Sequence, residues 1–187
     1  MSAMFKFVAV SGSLRKGSFN SAILRTAQKL APEGVTIEIA EIGDLPLYNE
    51  DLRPGGTGFP APVQAFREKL AAADAVLFAI PEYNFTISSP MKNAIDWASR
   101  PPNLPLAGKV YAMLSVSGGL LGGSRGQMHM RQIMVSCDGM TVNKPQVFIG
   151  GAKDKFDADL NFTDKAGQDL IRELLANTVA LARQLQK

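Results

Sequence analysis

A parallel α/β fold is predicted by three features of this chain. Five short β-type runs alternate with helical segments, the middle run is apolar throughout, and a Gly- and Ser-rich turn joins the first run to the first helix. Right-handed crossovers between such units give an open parallel sheet with helices on both faces.

The first strand spans about Phe5 to Val10. The first helix runs from about Phe19 to Leu30, with Ser18 as N-cap and Ile23, Ala27 and Leu30 on one face. Strand two, Val35 to Ile39, alternates as Val-Thr-Ile-Glu-Ile, which suits a strand near a sheet edge. A loop rich in Pro and Gly, Gly43 to Pro60, precedes a helix over about Pro62 to Ala72. Strand three, Ala75 to Ile80, is wholly apolar, as expected of a central parallel strand covered on both faces. Helix three begins with Ser89 as cap and Pro90 in the first helical position. It turns Met91, Ala94, Ile95 and Ala98 inward and stops before Pro101-Pro102.

Strand four spans Val110 to Val116, and a second glycine-rich loop leads into a helix over about Gln127 to Ser136. Strand five lies around Gln146 to Ile149. The last helix, about Asp164 to Gln184, carries Leu170, Leu174, Thr178 and Leu185 as a stripe. Five strands with a mononucleotide-type loop after the first fit a flavodoxin-like three-layer sandwich with strand order 2-1-3-4-5. No repeat or linker divides residues 1–187, so one domain is expected.

Composition narrows the class. Hydrophobic residues make up 46% and charged residues 20% of the chain, the balance of a globular domain with an ample core. No apolar run approaches the roughly 20 residues of a membrane span. The opening Met1 to Phe5 has no signal-peptide pattern, and the lone Cys137 excludes an internal disulfide or a C-x-x-C redox pair. A cytoplasmic protein is expected. The net charge of +3 comes from scattered Lys and Arg, which argues against a dedicated nucleic-acid surface and mildly for anionic ligands.

The first loop carries the chemistry. Ser11 to Asn20 follows a strand and opens a helix, so free backbone N–H groups cluster around one point in the field of the helix dipole. Ser13, Ser18 and Asn20 add side-chain donors and Arg15 a charged fork. A Walker A loop fails here, because Ser18 stands where its lysine belongs. The dinucleotide fingerprint fails as well, because Leu14 replaces its second glycine. What remains suits one compact terminal phosphate, as in FMN; a capped turn with no ligand is the alternative for this loop alone.

Two further loops leave the carboxyl ends of strands. Pro81-Glu82-Tyr83-Asn84 offers an aromatic body and an amide for a heteroaromatic ring edge. Ser117-Gly118-Gly119, continuing to Gly126, offers a bare backbone wall. A cradle, a ring clamp and a bare wall together suit a flat ring joined to a phosphate by a polyol, which describes FMN.

These residues resemble the NAD(P)H-dependent FMN reductase family, and most of all its chromate and quinone reductase branch. The likeness rests on residues 12–20, Pro81 to Asn84, Lys92-Asn93-Ala94-Ile95-Asp96-Trp97 and Ser117 to Gly119. It extends to Leu45-Pro46-Leu47-Tyr48 and Asn143-Lys144-Pro145; only Lys153 to Phe162 looks individual. The resemblance implies that Ser13, Leu14, Arg15, Lys16, Gly17, Ser18, Phe19 and Asn20 hold the FMN phosphate. It implies that Pro81, Glu82, Tyr83 and Asn84 line the isoalloxazine, and that Ser117, Gly118 and Gly119 close its far edge. It also implies a homodimer or homotetramer joined through helix three, with Trp97, and through Met128-His129-Met130-Arg131.

The expected activity passes hydride from NADPH or NADH through FMN to quinones, chromate, azo compounds or free flavin by a ping-pong mechanism. No second dinucleotide fingerprint is present, so donor and acceptor share one flavin face. No catalytic side chain or metal is required, since FMN carries the chemistry. Arg125 and Lys16 are candidates for drawing anions toward the cleft. Asp157, Asp159 and Asn161 open like a calcium loop, but Phe162 and Gln168 break that pattern. A flavodoxin-type electron carrier and the flavin-supplying reductase of a two-component monooxygenase are the alternatives.

Overall fold

The computed structural model describes residues 4–185. Met1 to Ala3, part of the opening read above for a leader, lie outside the described residues. The first strand, β1 (Phe5–Ser11), is followed by α1 (Phe19–Lys29) and β2 (Val35–Ala40). Next come α2 (Ala61–Ala71) and β3 (Ala75–Ala79), and then a short ribbon of β4 (Glu82–Tyr83) and β5 (Thr86–Ile87). α3 (Ser89–Ala98), β6 (Val110–Val116) and α4 (Ser124–Ser136) follow, then β7 (Met140–Thr141), β8 (Val147–Ile149) and α5 (Lys165–Leu185).

The sheet runs β2-β1-β3-β6, all parallel, with the fifth position shared by β7 and β8. β7 pairs with the start of β6, Val110 opposite Met140, and β8 with its end, Leu114 opposite Val147. The predicted fifth strand is therefore split, and the five-stranded sheet has six strand segments. The break holds Asn143-Lys144-Pro145, where proline has no N–H to donate to a ladder. β2 lies at the open edge, as its alternating sequence predicted.

Side-chain alternation along each strand feeds two cores. Phe7 and Ala9 of β1 and Leu77 of β3 face α1 and α5; Val8, Val10, Val76 and Phe78 face α2, α3 and α4. The stripe of α5 corrects the sequence reading. Its buried members include Ile171, Leu174, Leu175, Thr178, Val179 and Ala182, while Leu170 and Leu185 are exposed. Leu170 is one helical step, about 100°, off Ile171, and Leu185 is the last residue of the helix.

Three helix starts repay attention. Ser18 caps α1, its hydroxyl accepting from the Ser21 N–H at 3.3 Å. For α3 the cap is Ser88, not Ser89: its hydroxyl accepts from the Met91 N–H, and Pro90 falls one position later than expected. α4 begins at Ser124, three residues before the predicted start, because a carboxylate from elsewhere in the chain caps it. No helix among the described residues is long and apolar enough to cross a membrane.

Candidate active site at the carboxyl rim of the sheet

The loops after β1, β3 and β6 meet at one rim. Gly12 sets the first contact: its N–H donates to the Ala79 carbonyl at 2.9 Å, and its carbonyl accepts from the Ser88 hydroxyl at 2.5 Å. A Cβ on Gly12 would lie 2.8 Å from Pro81 Cδ and 2.8 Å from Ser88 Oγ. Only glycine lets the first loop approach the Pro81 turn this closely.

Asn20 sets the second contact. Its Nδ2 donates to the Val116 carbonyl at 3.0 Å, and its Oδ1 accepts from the Val116 N–H at 3.1 Å. Its side chain thereby grips the end of β6, a tie that the sequence reading did not include. Buried at 5% exposure, Asn20 joins α1 to the start of the Ser117 loop.

Within the first loop, Leu14, Arg15, Lys16 and Gly17 are exposed, and among the described residues their backbone N–H groups have no partner. Ser13 is held beneath them, its N–H donating to Ser11 Oγ at 3.3 Å while that hydroxyl shares a hydrogen bond with Ser21 at 2.9 Å. Arg15 bends back onto the Gly17 carbonyl at 3.4 Å. The free N–H groups, the α1 N-terminus behind them and the Arg15 and Lys16 charges form an anion cradle. A crevice of about 150 Å³ beside it is lined in part by Ser11, Ser13 and Arg25. Arg25 went unnoticed in the sequence because nothing there marks which face of α1 meets the loop after β2.

The second loop is a hairpin that the sequence reading missed. β4 and β5 pair as Glu82 with Ile87 and Tyr83 with Thr86, around Asn84 at φ 50° and Phe85 at φ 67°. Two positive φ angles are what a two-residue hairpin turn demands, and Asn tolerates that region. Asn84 was the available signal. Phe85 at positive φ is unusual, and its ring packs under the Arg125 guanidinium at 4.0 Å.

Glu82 anchors this hairpin to α4 instead of facing water. Its Oε1 accepts from Arg125 Nε at 2.5 Å, and its Oε2 from the N–H groups of Arg125 and Gly126 at 3.0 and 3.4 Å. The residue before α4 is Gly123, which has no side chain to cap with, so Glu82 serves as the cap and neutralises the helix dipole. Arg125 is paired and stacked, whereas Lys16, the other cation proposed from sequence, forms no ion pair among the described residues. His129 bonds the Thr86 hydroxyl through Nδ1 at 2.8 Å, tying the same hairpin down.

The third loop is strapped from below. Ser117 N–H donates to the Ile149 carbonyl at 3.0 Å, and Ser115 Oγ to the Gly122 carbonyl at 2.5 Å. Gln127, fully buried, donates from Nε2 to Ser115 Oγ and to the Val147 carbonyl, both at 2.9 Å. Gly123, at φ 85°, packs so close to Ser115 that a Cβ would sit 2.8 Å from its Cβ. Open space lies beside Gly118, as a bare wall requires.

Trp97, expected at an interface, and Cys137 are both inside the protein. Trp97 is fully buried and donates from Nε1 to the Pro46 carbonyl at 2.8 Å, so it is a core residue and not an interface group. Cys137 is buried, and desolvation pushes its thiol pKa up, which keeps it a neutral packing group.

Sheet order, helices on both faces and a phosphate-type loop after the first strand define a flavodoxin-like domain. The chain belongs to the NADPH-dependent FMN reductase family, whose model matches residues 5–154. It is 47% identical over 186 residues, covering 100% of both chains, to an NAD(P)H-dependent FMN reductase of Pseudomonas aeruginosa. It is 45% identical over 188 residues, covering 98% of this chain and 94% of the other, to an NADPH:quinone oxidoreductase of Arabidopsis thaliana. Among solved structures it is similar to FerB, a flavoenzyme NAD(P)H:(acceptor) oxidoreductase from Paracoccus denitrificans. The TM-score is 0.87, with 29% identity and coverage of 97% of this chain and 98% of that one. The chain is thus an NAD(P)H- and FMN-dependent oxidoreductase.

Proposed function

We propose that residues 13–20, Pro81 to Asn84 and Ser117 to Gly119 bind FMN at this rim, and that the enzyme carries reducing equivalents from NAD(P)H to quinones. The observation that carries this reading is the run of free N–H groups from Leu14 to Gly17 at the start of α1. Those donors suit the terminal phosphate, with Lys16 adding charge. Tyr83 and Asn84, exposed on the hairpin, supply an aromatic wall and an amide for the ring edge, and the open backbone at Gly118 admits a flat body. The chemistry FMN supplies when bound is reversible hydride acceptance.

What the chain does around that group is orient and expose it. Asn20 and Gly12 fix the three loops relative to one another, so the cradle and the ring wall are held before any ligand arrives. The same open face serves donor and acceptor in turn, and chromate, azo compounds and free flavin compete there with quinones. A second copy of the chain covers the exposed apolar residues that border the rim, Tyr83, Phe85, Leu120 and Met128, in a homodimer or homotetramer. Residues 1–187 act as one FMN-binding domain in this reading.

The test is a titration of the purified protein with FMN and with riboflavin, followed by gel filtration. The reading expects a retained flavin absorption band for FMN, at least about tenfold tighter binding than riboflavin, and loss of that preference in Ser18→Ala. Equal affinity for the two would overturn the phosphate cradle. Steady-state reduction of a quinone by NAD(P)H should give parallel initial-rate lines; intersecting lines would count against a shared face.

A further inference from the structure

A cavity of about 520 Å³ opens at the other edge of the sheet, between α2 and the segment that leads into β6. Ala71, at the end of α2, and Lys109, directly ahead of β6, border it, so it lies at the amino ends of the strands. β3 has 5 residues and β6 has 7. At about 3.3 Å per residue, the cavity and the flavin rim are therefore separated by roughly 17–23 Å. The volume falls in the range of about 300–1,000 Å³ that small-molecule sites occupy.

The wall of this cavity contains a buried cation without a counter-ion. Arg67 is 5% exposed. Its Nη1 donates to the carbonyls of Trp97 and Ala98 at 2.7 and 2.9 Å, and its Nη2 to those of Pro102 and Asn103 at 2.8 and 2.6 Å. Those bonds satisfy donors and hold the turn after α3, but carbonyl dipoles do not cancel a charge. Among the described residues no carboxylate forms an ion pair with Arg67. Burial, and secondarily the like charge of Arg53, lower its pKa to about 10. Both guanidinium groups lie over the ring of Phe59, at 3.8 and 4.8 Å.

Lys109 and Glu68 complete the charged lining. Lys109 donates to the carbonyls of Ala71 and Ala73, and the Asp74 carboxylate acts on its charge. Glu68 is the one carboxylate among the lining residues, and Gln64 holds it at 2.7 Å. Phe59, Leu104 and Pro105 supply apolar surface. Arg67, which no carboxylate pairs among the described residues, and the apolar wall complement a small organic anion with a flat hydrocarbon body.

We propose that this cavity is a second binding site, separate from the flavin rim, for a small aryl carboxylate. Arg67 supplies the countercharge through space, and Leu104 and Pro105, beside Phe59, receive the ring. This assignment does not depend on what occupies the rim.

The probe is benzoate, titrated into the FMN-loaded protein. Trp97 is the only tryptophan of the chain; its carbonyl is bonded by Arg67 and its ring lies 6.4 Å from that of Phe59. A saturable change in tryptophan emission is therefore expected, with one benzoate per chain by calorimetry and at least about tenfold weaker binding of benzamide. Ala71→Phe, which fills the mouth from an exposed helical position, should weaken benzoate by at least about tenfold while quinone reduction and flavin absorbance stay unchanged. No saturable response, benzamide binding as tightly as benzoate, or a response untouched by Ala71→Phe would each overturn the site. Should that variant fail to fold, a benzoate soak of unmodified crystals decides it: density in the cavity supports the site, and an empty cavity sinks it.

Discussion

Asn20 and Val116, 96 residues apart, exchange two hydrogen bonds through one side-chain amide. This pair locks the loop after β1 to the loop after β6, and it is made where both groups are buried. Asn20→Leu would leave the N–H and carbonyl of Val116 unsatisfied, at a cost of about 1–3 kcal/mol for each buried group. We expect about 2–4 kcal/mol less stability in urea unfolding, together with weaker FMN binding. A variant with unchanged midpoint and unchanged flavin affinity would show that the pair holds nothing together.

Gly12→Ala tests the contact between the first two loops. The new methyl would meet Pro81 Cδ and Ser88 Oγ at 2.8 Å and Met91 Cβ at 3.2 Å. None of these is the free end of a flexible chain, so the loops must part, costing about 1–3 kcal/mol as overpacking does. Gly17→Ala, with open space around it, should leave stability nearly unchanged. Equal melting shifts for the two would refute the close approach.

Glu82→Ala should cost about 1 kcal/mol through the lost cap of α4. Arg125→Ala should cost less, because the Arg125 side chain is 46% exposed and solvent screens the pair. Hydrogen exchange gives the sharper reading: the amides of Arg125 and Gly126 exchange faster in Glu82→Ala and not in Arg125→Ala. The reverse order would mean that the charge pair, and not the cap, matters.

Acid sensitivity should be reduced in Glu38→Gln. Lys69 first, through a hydrogen bond, and then Lys6 hold the Glu38 carboxyl below its ordinary value of 4.5 in the folded protein. A folded pKa below the unfolded one means that Glu38 contributes stability above about pH 4.5 and loses it as the pH falls through the folded value. The melting temperatures of parent and variant should therefore converge on acidification, the parent being the more stable near neutrality. A constant difference across that window would contradict the linkage.

Much of the candidate site was legible in the sequence because it is local. Ser18 as a cap needs only the turn that follows it, and a Gly- and Ser-rich loop between a strand and a helix announces free N–H groups wherever it occurs. The hairpin at Asn84 left only that asparagine as a signal, since two-residue strands leave no periodicity to read. The cap of α4 was hidden for a different reason: the capping carboxylate, Glu82, lies 43 residues away from Arg125.

The sequence by itself determined the layered architecture, the edge position of β2 and the loop that can cradle a phosphate. Periodicity and cap chemistry act over a few residues, and those are present in the chain at any stage of folding. Only the tertiary structure decided that Asn20 binds a strand end, that Trp97 is interior, and that Arg67 is buried beside a cavity with no ion-pair partner among the described residues. Such outcomes depend on which distant backbone groups are left without partners once the sheet has closed, and that is a property of the packed molecule.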